Sequence, residues 1–147
     1  MNLEATVRNL ADRDAIRDLA RRYAHSVWQK DAAGAIALFS EDGEMDTGDG
    51  SPIRGSKALL ETYEAMFAKD EFHPMIHNHV IDFEAGDPRA ASGTCYLDLT
   101  AVVDGVSMAG NGSYQDRYVR VGDEWKFRSR KLTMCRFVEA DSKPTSK

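Results

Sequence analysis

At Lys69 the hydrophobic pattern of the chain changes period, and that change limits the fold more than any other feature. Before it, apolar residues recur every three to four positions: Leu3, Val7 and Leu10, then Ile16, Leu19, Tyr23 and Val27, then Leu59, Leu60, Tyr63, Met66 and Phe67. After it, apolar and polar residues alternate, as on strands with one buried face. Turn signals at Ala85-Gly86-Asp87-Pro88, Asp104-Gly105 and Gly122-Asp123 divide this half into long strands over residues 75–84, 89–103, 106–121 and 125–138. Helices followed by a meander predict an α+β fold, a cone-shaped roll of three N-terminal helices packed in a curved antiparallel sheet around an internal pocket.

The helical half carries its own punctuation. Asp12 or Asp14 is placed to cap the second apolar stretch, Asp31 to cap AAGAIALF, and Ser56 to cap KALLETYEAMF. Asp42-Gly43 reads as the end of the second of these helices, with a short strand after it at residues 44–47.

The length of 147 residues suits one domain over 1–147, with a polar, Pro-broken tail at 139–147 expected to fray. No apolar run approaches the roughly 20 residues that span a bilayer. The start, Met-Asn-Leu-Glu, lacks the pattern of a signal peptide. Two cysteines, Cys95 and Cys135, are too few for a disulfide framework and lack zinc spacing, so free thiols and a reduced, cytoplasmic setting are expected. The net charge of −5 argues against nucleic acid and anionic membranes as partners.

Strand parity selects the candidate site. On the strand from Val106, the inward set is Val106, Met108, Gly110, Gly112, Tyr114, Asp116 and Tyr118; Ser107, Asn111, Ser113, Gln115 and Arg117 face out. Asp116 is the one carboxylate on the apolar face, and a buried carboxylate needs a partner. Gly110 and Gly112 mark either curvature or room for a ligand. On the strand before, Met75, His77, His79, Ile81 and Phe83 share a parity whose apolar members set it inward. His77 is then a candidate general base, with Asp116 to orient it directly or through one water. His73 and His77 are four apart, but Pro74 breaks a helix there, and no metal site is expected. In the last strand, Trp125 and Phe127 share one parity, Leu132 and Met134 the other, so a bulge near Ser129 turns Arg130 inward. Arg130 is there to pair with Asp116 or to hold an anionic ligand.

In their order and spacing, DRDAIRDLARRYAHSVWQKDAAGAIALFSEDGEMD, IRGSKALLETY, HNHVIDF, GTCYLDL and GSYQDRYVRVGDEWKFRSR resemble the SnoaL-like branch of the nuclear transport factor two-like superfamily. That branch includes scytalone and bile-acid dehydratases, a dehydrochlorinase, ketosteroid isomerase and polyketide cyclases. The resemblance implies a deep apolar pocket, proton abstraction from carbon, no cofactor, and dimers or trimers that pair through the outer sheet face. It puts Tyr23 at a pocket tyrosine, His77 (or His73, with a one-residue gap) at the pocket histidine, and Arg130 at a pocket arginine. Two positions depart from it. Trp28 stands where the dehydratases carry the aspartate that polarises the histidine, and Thr47 where the isomerase has its base, with Asp46 adjacent.

Three functions follow as expectations. One is a lyase or isomerase acting on a hydrophobic or cyclic metabolite, with His77 as base, Asp116 as orienter, Tyr23 as oxyanion donor and Arg130 on the substrate's charge. Another is a non-catalytic module that binds a hydrophobic or aromatic small molecule among Trp28, Tyr114, Phe127 and Met134. The last is an association domain like a dioxygenase β subunit, disfavoured by the polar outer face. In any of these, Trp28 either stacks on a planar ligand or plugs the pocket as a core aromatic.

Overall fold

The computed structural model describes residues 2–140; most of the expected frayed tail, 141–147, lies outside them. Helix α1 spans Leu3–Trp28 without the break expected at Asp12 or Asp14, and Asn2 caps it by accepting the Ala5 N–H at 2.7 Å. Its buried stripe is Ile16, Leu19, Ala20, Tyr23, Ala24 and Val27. Leu3, Val7 and Leu10 keep the helical spacing but stand exposed.

Asp31 caps the short helix α2, Ala32–Ile36, by accepting the Gly34 N–H at 2.9 Å. Strand β1, Phe39–Asp46, follows and runs straight through Asp42-Gly43, which therefore does not end a helix. After β2, Ile53–Arg54, helix α3 spans Ser56–Lys69. Ser56 does not cap it: its hydroxyl donates to the Glu41 carbonyl at 3.2 Å, so it ties α3 to β1 instead.

The meander is β3 (Glu71–Phe83), β4 (Ala90–Val103), β5 (Val106–Val121) and β6 (Glu124–Glu139). Sheet order is β2-β1-β6-β5-β4-β3. The sheet is mixed, not wholly antiparallel, because β1 runs parallel to β6. Asp104 and Gly105 both take positive φ, 52° and 79°, the backbone that a two-residue hairpin between twisted strands requires. Pro74 is tolerated because β3 is an edge strand, where a missing N–H breaks no ladder.

Helix α1 lies along that edge. The Arg13 guanidinium donates to the Ile81 carbonyl at 3.1 Å, and the Trp28 indole N–H donates to the Pro74 carbonyl at 2.7 Å. Those two bonds fix α1 antiparallel to β3 and cover carbonyls that an edge strand otherwise leaves open.

Four irregularities interrupt the ladders, one of them in β1 between Phe39 and Glu44. Pairing slips between Ile76 and His79 in β3, and β6 carries unpaired residues at Arg128 and Cys135. The bulge at Arg128 is the one expected near Ser129. Gly110 and Gly112 answer to curvature, not to ligand room: a Cβ there meets the β6 backbone, 1.7 Å from the Arg136 oxygen and 2.3 Å from the Thr133 oxygen. On the concave face, ladder rows read His79–Cys95–Tyr114–Leu132, then Ile81–Gly93–Asp116–Arg130–Met45, then Phe83–Ala91–Tyr118–Phe127–Phe39.

Candidate functional site

Between α1, α3 and the concave sheet lies a cavity of about 330 Å³. Its wall is apolar: Val27, Met45, Met66, Leu99, Leu132, Met134 and Phe137 contribute most of it. Tyr23, Tyr63 and Tyr114 supply the polar groups, and Thr47 adds a hydroxyl. Among the described residues, no carboxylate or imidazole lines it. A larger depression of about 420 Å³ lies on the outer sheet face, among Glu44, Asp82, Thr94, Gln115, Arg117 and Lys131. That groove is shallow and polar, so the apolar cavity is the better site for a small molecule.

The tyrosines form its chemistry. The Tyr23 and Tyr63 hydroxyls share a 2.5 Å hydrogen bond across α1 and α3. One of their two protons is spent in that bond, and the other is free. Tyr114, from β5, makes no hydrogen bond among the described residues, so its proton is free as well. Burial raises all three phenols above their ordinary range, which keeps them neutral donors.

Behind the rings of Tyr23 and Tyr114 sits a polar network, buried at Asp116, Arg130 and Tyr118. Arg130, its side chain fully buried, binds Asp116 through Nε at 2.8 Å and Nη2 at 3.0 Å. The Tyr118 hydroxyl donates to the same carboxylate at 2.9 Å. Tyr118 has one proton, so in its 2.7 Å bond to His79 it accepts, and His79 Nε2 carries the hydrogen. Gly93 makes this possible: a Cβ there would lie 2.4 Å from the Val80 oxygen and 3.1 Å from the Tyr118 hydroxyl. Burial pulls Arg130 down, but the Asp116 charge and hydrogen bonds more than reverse that, so the guanidinium stays charged.

Several expected placements change. His77 does not meet Asp116. The slip after Ile76 turns it outward, where it is half exposed and bonded to Asp98 at 2.9 Å. His79 occupies the inward place instead, and reaches Asp116 only through Tyr118. Arg130 pairs with Asp116 as one of its two expected options, yet the guanidinium lies behind the tyrosine rings and does not line the cavity. Phe127 is also absent from the lining; its ring packs under Arg130, 4.3 Å from the guanidinium carbon. Trp28 neither plugs the cavity nor lines it: it is 44% exposed and stacks on His73 with ring centroids 4.1 Å apart. Asp46 faces the outer groove and accepts the Gly48 N–H at 2.8 Å. Tyr23, Tyr114 and Met134 do line the cavity.

Tyr63 was missed. Helical spacing places it only in the apolar stripe of α3, although a buried phenol needs a partner and so signals a second polar group nearby. Both cysteines are free; Cys95 is buried in the sheet, where desolvation pushes its thiol up to about 11. Among the described residues, no three metal-ligating side chains converge, and no helix is long and apolar enough to cross a membrane.

The family model described as a SnoaL-like domain matches residues 8–131. No curated protein matches the sequence. Among solved structures, the chain is similar to a Mycobacterium tuberculosis protein of unknown function, with 26% identity, a TM-score of 0.77, and coverage of 87% of this chain and 74% of that one. A candidate scytalone dehydratase from Novosphingobium aromaticivorans shares 22% identity at a TM-score of 0.81, covering 94% and 93% of the two chains. A hexachlorocyclohexane dehydrochlorinase from Novosphingobium barchaimii shares 17% identity at a TM-score of 0.83, covering 97% and 99%.

Proposed function

The chain belongs to the SnoaL-like domain family, and from that premise we propose that it is a small-molecule pocket protein that holds an apolar, cyclic or aromatic molecule by one oxygen atom. The observation that carries this reading is the pairing of an apolar wall with three neighbouring tyrosines, Tyr23, Tyr63 and Tyr114, in the same lining. An apolar body gains from burial, while an unpaired oxygen buried with it loses unless donors meet it. Two free phenol protons serve a carbonyl or phenol oxygen, which has two lone pairs to offer.

A lyase or isomerase acting without a cofactor is the second reading. The fold shared with a candidate scytalone dehydratase and a dehydrochlorinase favours it. In that case the tyrosines stabilise charge developing on the substrate oxygen. The departing proton then goes to water or to the substrate itself, because the cavity wall of the described residues offers no base. In either reading the protein works as a homodimer or trimer, which light scattering tests.

Acetophenone and ethylbenzene test the oxygen-binding role, having nearly the same shape and differing by one oxygen. Tyr114→Phe should weaken acetophenone binding by about tenfold, the value of one hydrogen bond, and leave ethylbenzene unchanged. Equal losses for both ligands would overturn the oxygen-binding role. Deuterium incorporation into the acetophenone methyl group, faster with protein than with buffer, would favour the lyase or isomerase reading.

A further inference from the structure

We propose that Arg130 is a positioning residue for the tyrosine donors: its guanidinium, pinned by Asp116, holds the rings of Tyr23 and Tyr114 in place and strengthens the hydrogen bonds their hydroxyls give to a ligand oxygen. This rests on the oxygen-binding reading of the cavity and gives it a cause. Three rings box the guanidinium, whose carbon lies 3.7 Å from the Tyr114 centroid, 4.3 Å from Phe127 and 4.6 Å from Tyr23. Two of the three rings carry hydroxyls and line the cavity; the third lines only the core. A planar cation on a ring face fixes the ring's plane as well as attracting it. Arg130 Nη1 is buried with no hydrogen-bond partner, so the rings and the neighbouring Cys95 thiol are what this corner of the cation meets.

The ion pair is also oriented. Asp116 takes two bonds from Arg130 and a third from Tyr118, on the side leading to His79. The cavity tyrosines therefore face the positive end of the pair. A cation against a phenol ring draws electron density from its oxygen and makes its proton a better donor. In keeping with that, burial raises Tyr114 and Tyr23 while the Arg130 charge works to lower them.

A purely structural Arg130 would hold the fold without touching the strength of a ligand bond. The carbonyl stretch of bound acetophenone separates the two roles, because it moves to lower frequency as the oxygen accepts stronger hydrogen bonds. In the paired variant Arg130→Met with Asp116→Asn, which leaves no lone buried charge, the shift should shrink by roughly 10–30%, the range for mutual polarisation of neighbouring bonds. In Asp116→Asn alone the cation is uncompensated and the shift should grow. Opposite movements in two variants, each still folded by circular dichroism, are the expected result. An unchanged shift in either folded variant would overturn the positioning role while the oxygen-binding reading stands. If wild-type protein leaves the carbonyl band of acetophenone where buffer leaves it, the oxygen-binding reading fails, and this inference with it.

Discussion

One concave sheet face carries two unlike regions, separated by the rings of Tyr23 and Tyr114. On one side, Asp116, Arg130 and Tyr118 form a buried chain of hydrogen bonds that ends on the partly buried His79. On the other, Leu99, Met134 and Phe137 leave a cavity whose polar groups are hydroxyls. The difference follows from the cost of burying charge. A carboxylate and a guanidinium taken out of water must satisfy each other, so the half that holds them packs shut. Neutral hydroxyls tolerate an open cavity, because a phenol without a partner costs far less than an ion without one.

The sharpest way to break this contrast is to remove one member of the buried pair. Arg130→Met leaves Asp116 buried with Tyr118 as its only remaining donor, and should destabilise the protein by about 3–5 kcal/mol in urea unfolding. A loss near that of an exposed substitution would mean that water reaches the network and that this half is not buried.

Two tyrosines four residues apart on β5 give the matched comparison. Tyr118→Phe deletes the hydroxyl joining His79 to Asp116 and should cost about 1–3 kcal/mol. Tyr114→Phe deletes a hydroxyl without a protein partner and should stay within about 0.5 kcal/mol of wild type. Equal costs from the same unfolding experiment would mean that the two regions do not differ in the way described.

How far the sequence reveals this arrangement depends on bulges. Asp116 was readable as the inward carboxylate from unbroken alternation along β5, and Arg130 from the parity conflict between Phe127 and Leu132. Unbroken alternation along β3 predicts His77 inward, and the bulge after Ile76 turns it outward. A signal was present: Phe72, Pro74 and Ile76 are apolar at one parity, and His79, Ile81 and Phe83 take the inner face at the other. Met75 and Val80, both exposed, hide that switch by looking like core residues. The parallel pairing of β1 with β6 left no local trace, because a long-range partner is not written in a strand's own periodicity.

Trp28 tests the outer boundary of the cavity. It stacks on His73 and bonds the carbonyl of Pro74, a lining residue, at the edge of β3, without lining the cavity itself. Trp28→Ala should cost about 1 kcal/mol, the value of that hydrogen bond, and not the roughly 3 kcal/mol or more of a core aromatic. Acetophenone affinity should not change. A weakened affinity with unchanged melting temperature would move the cavity wall outward to include the indole.

The smallest effect concerns proton uptake, and it separates the two regions by what titrates in each. Burial lowers the His79 pKa from the ordinary 6.5, against the pull of Asp116 and with the help of the Arg130, Arg17 and Arg21 charges. In the unfolded chain His79 takes its proton at about 6.5; in the folded chain it stays neutral to lower pH. Between those two values the unfolded state binds more protons, so the stability owed to neutral His79 is present above about 6.5 and lost as pH falls toward the folded value. His79→Gln keeps an N–H to donate to Tyr118 but cannot titrate. Unfolding by urea between about pH 7 and pH 5 should therefore show a steeper loss for wild type than for His79→Gln, the other histidines being common to both. Tyr114→Phe should leave the wild-type slope intact, since the cavity wall titrates nothing in that window. Parallel curves for wild type and His79→Gln would place His79 in bulk solvent and open the buried half at that end.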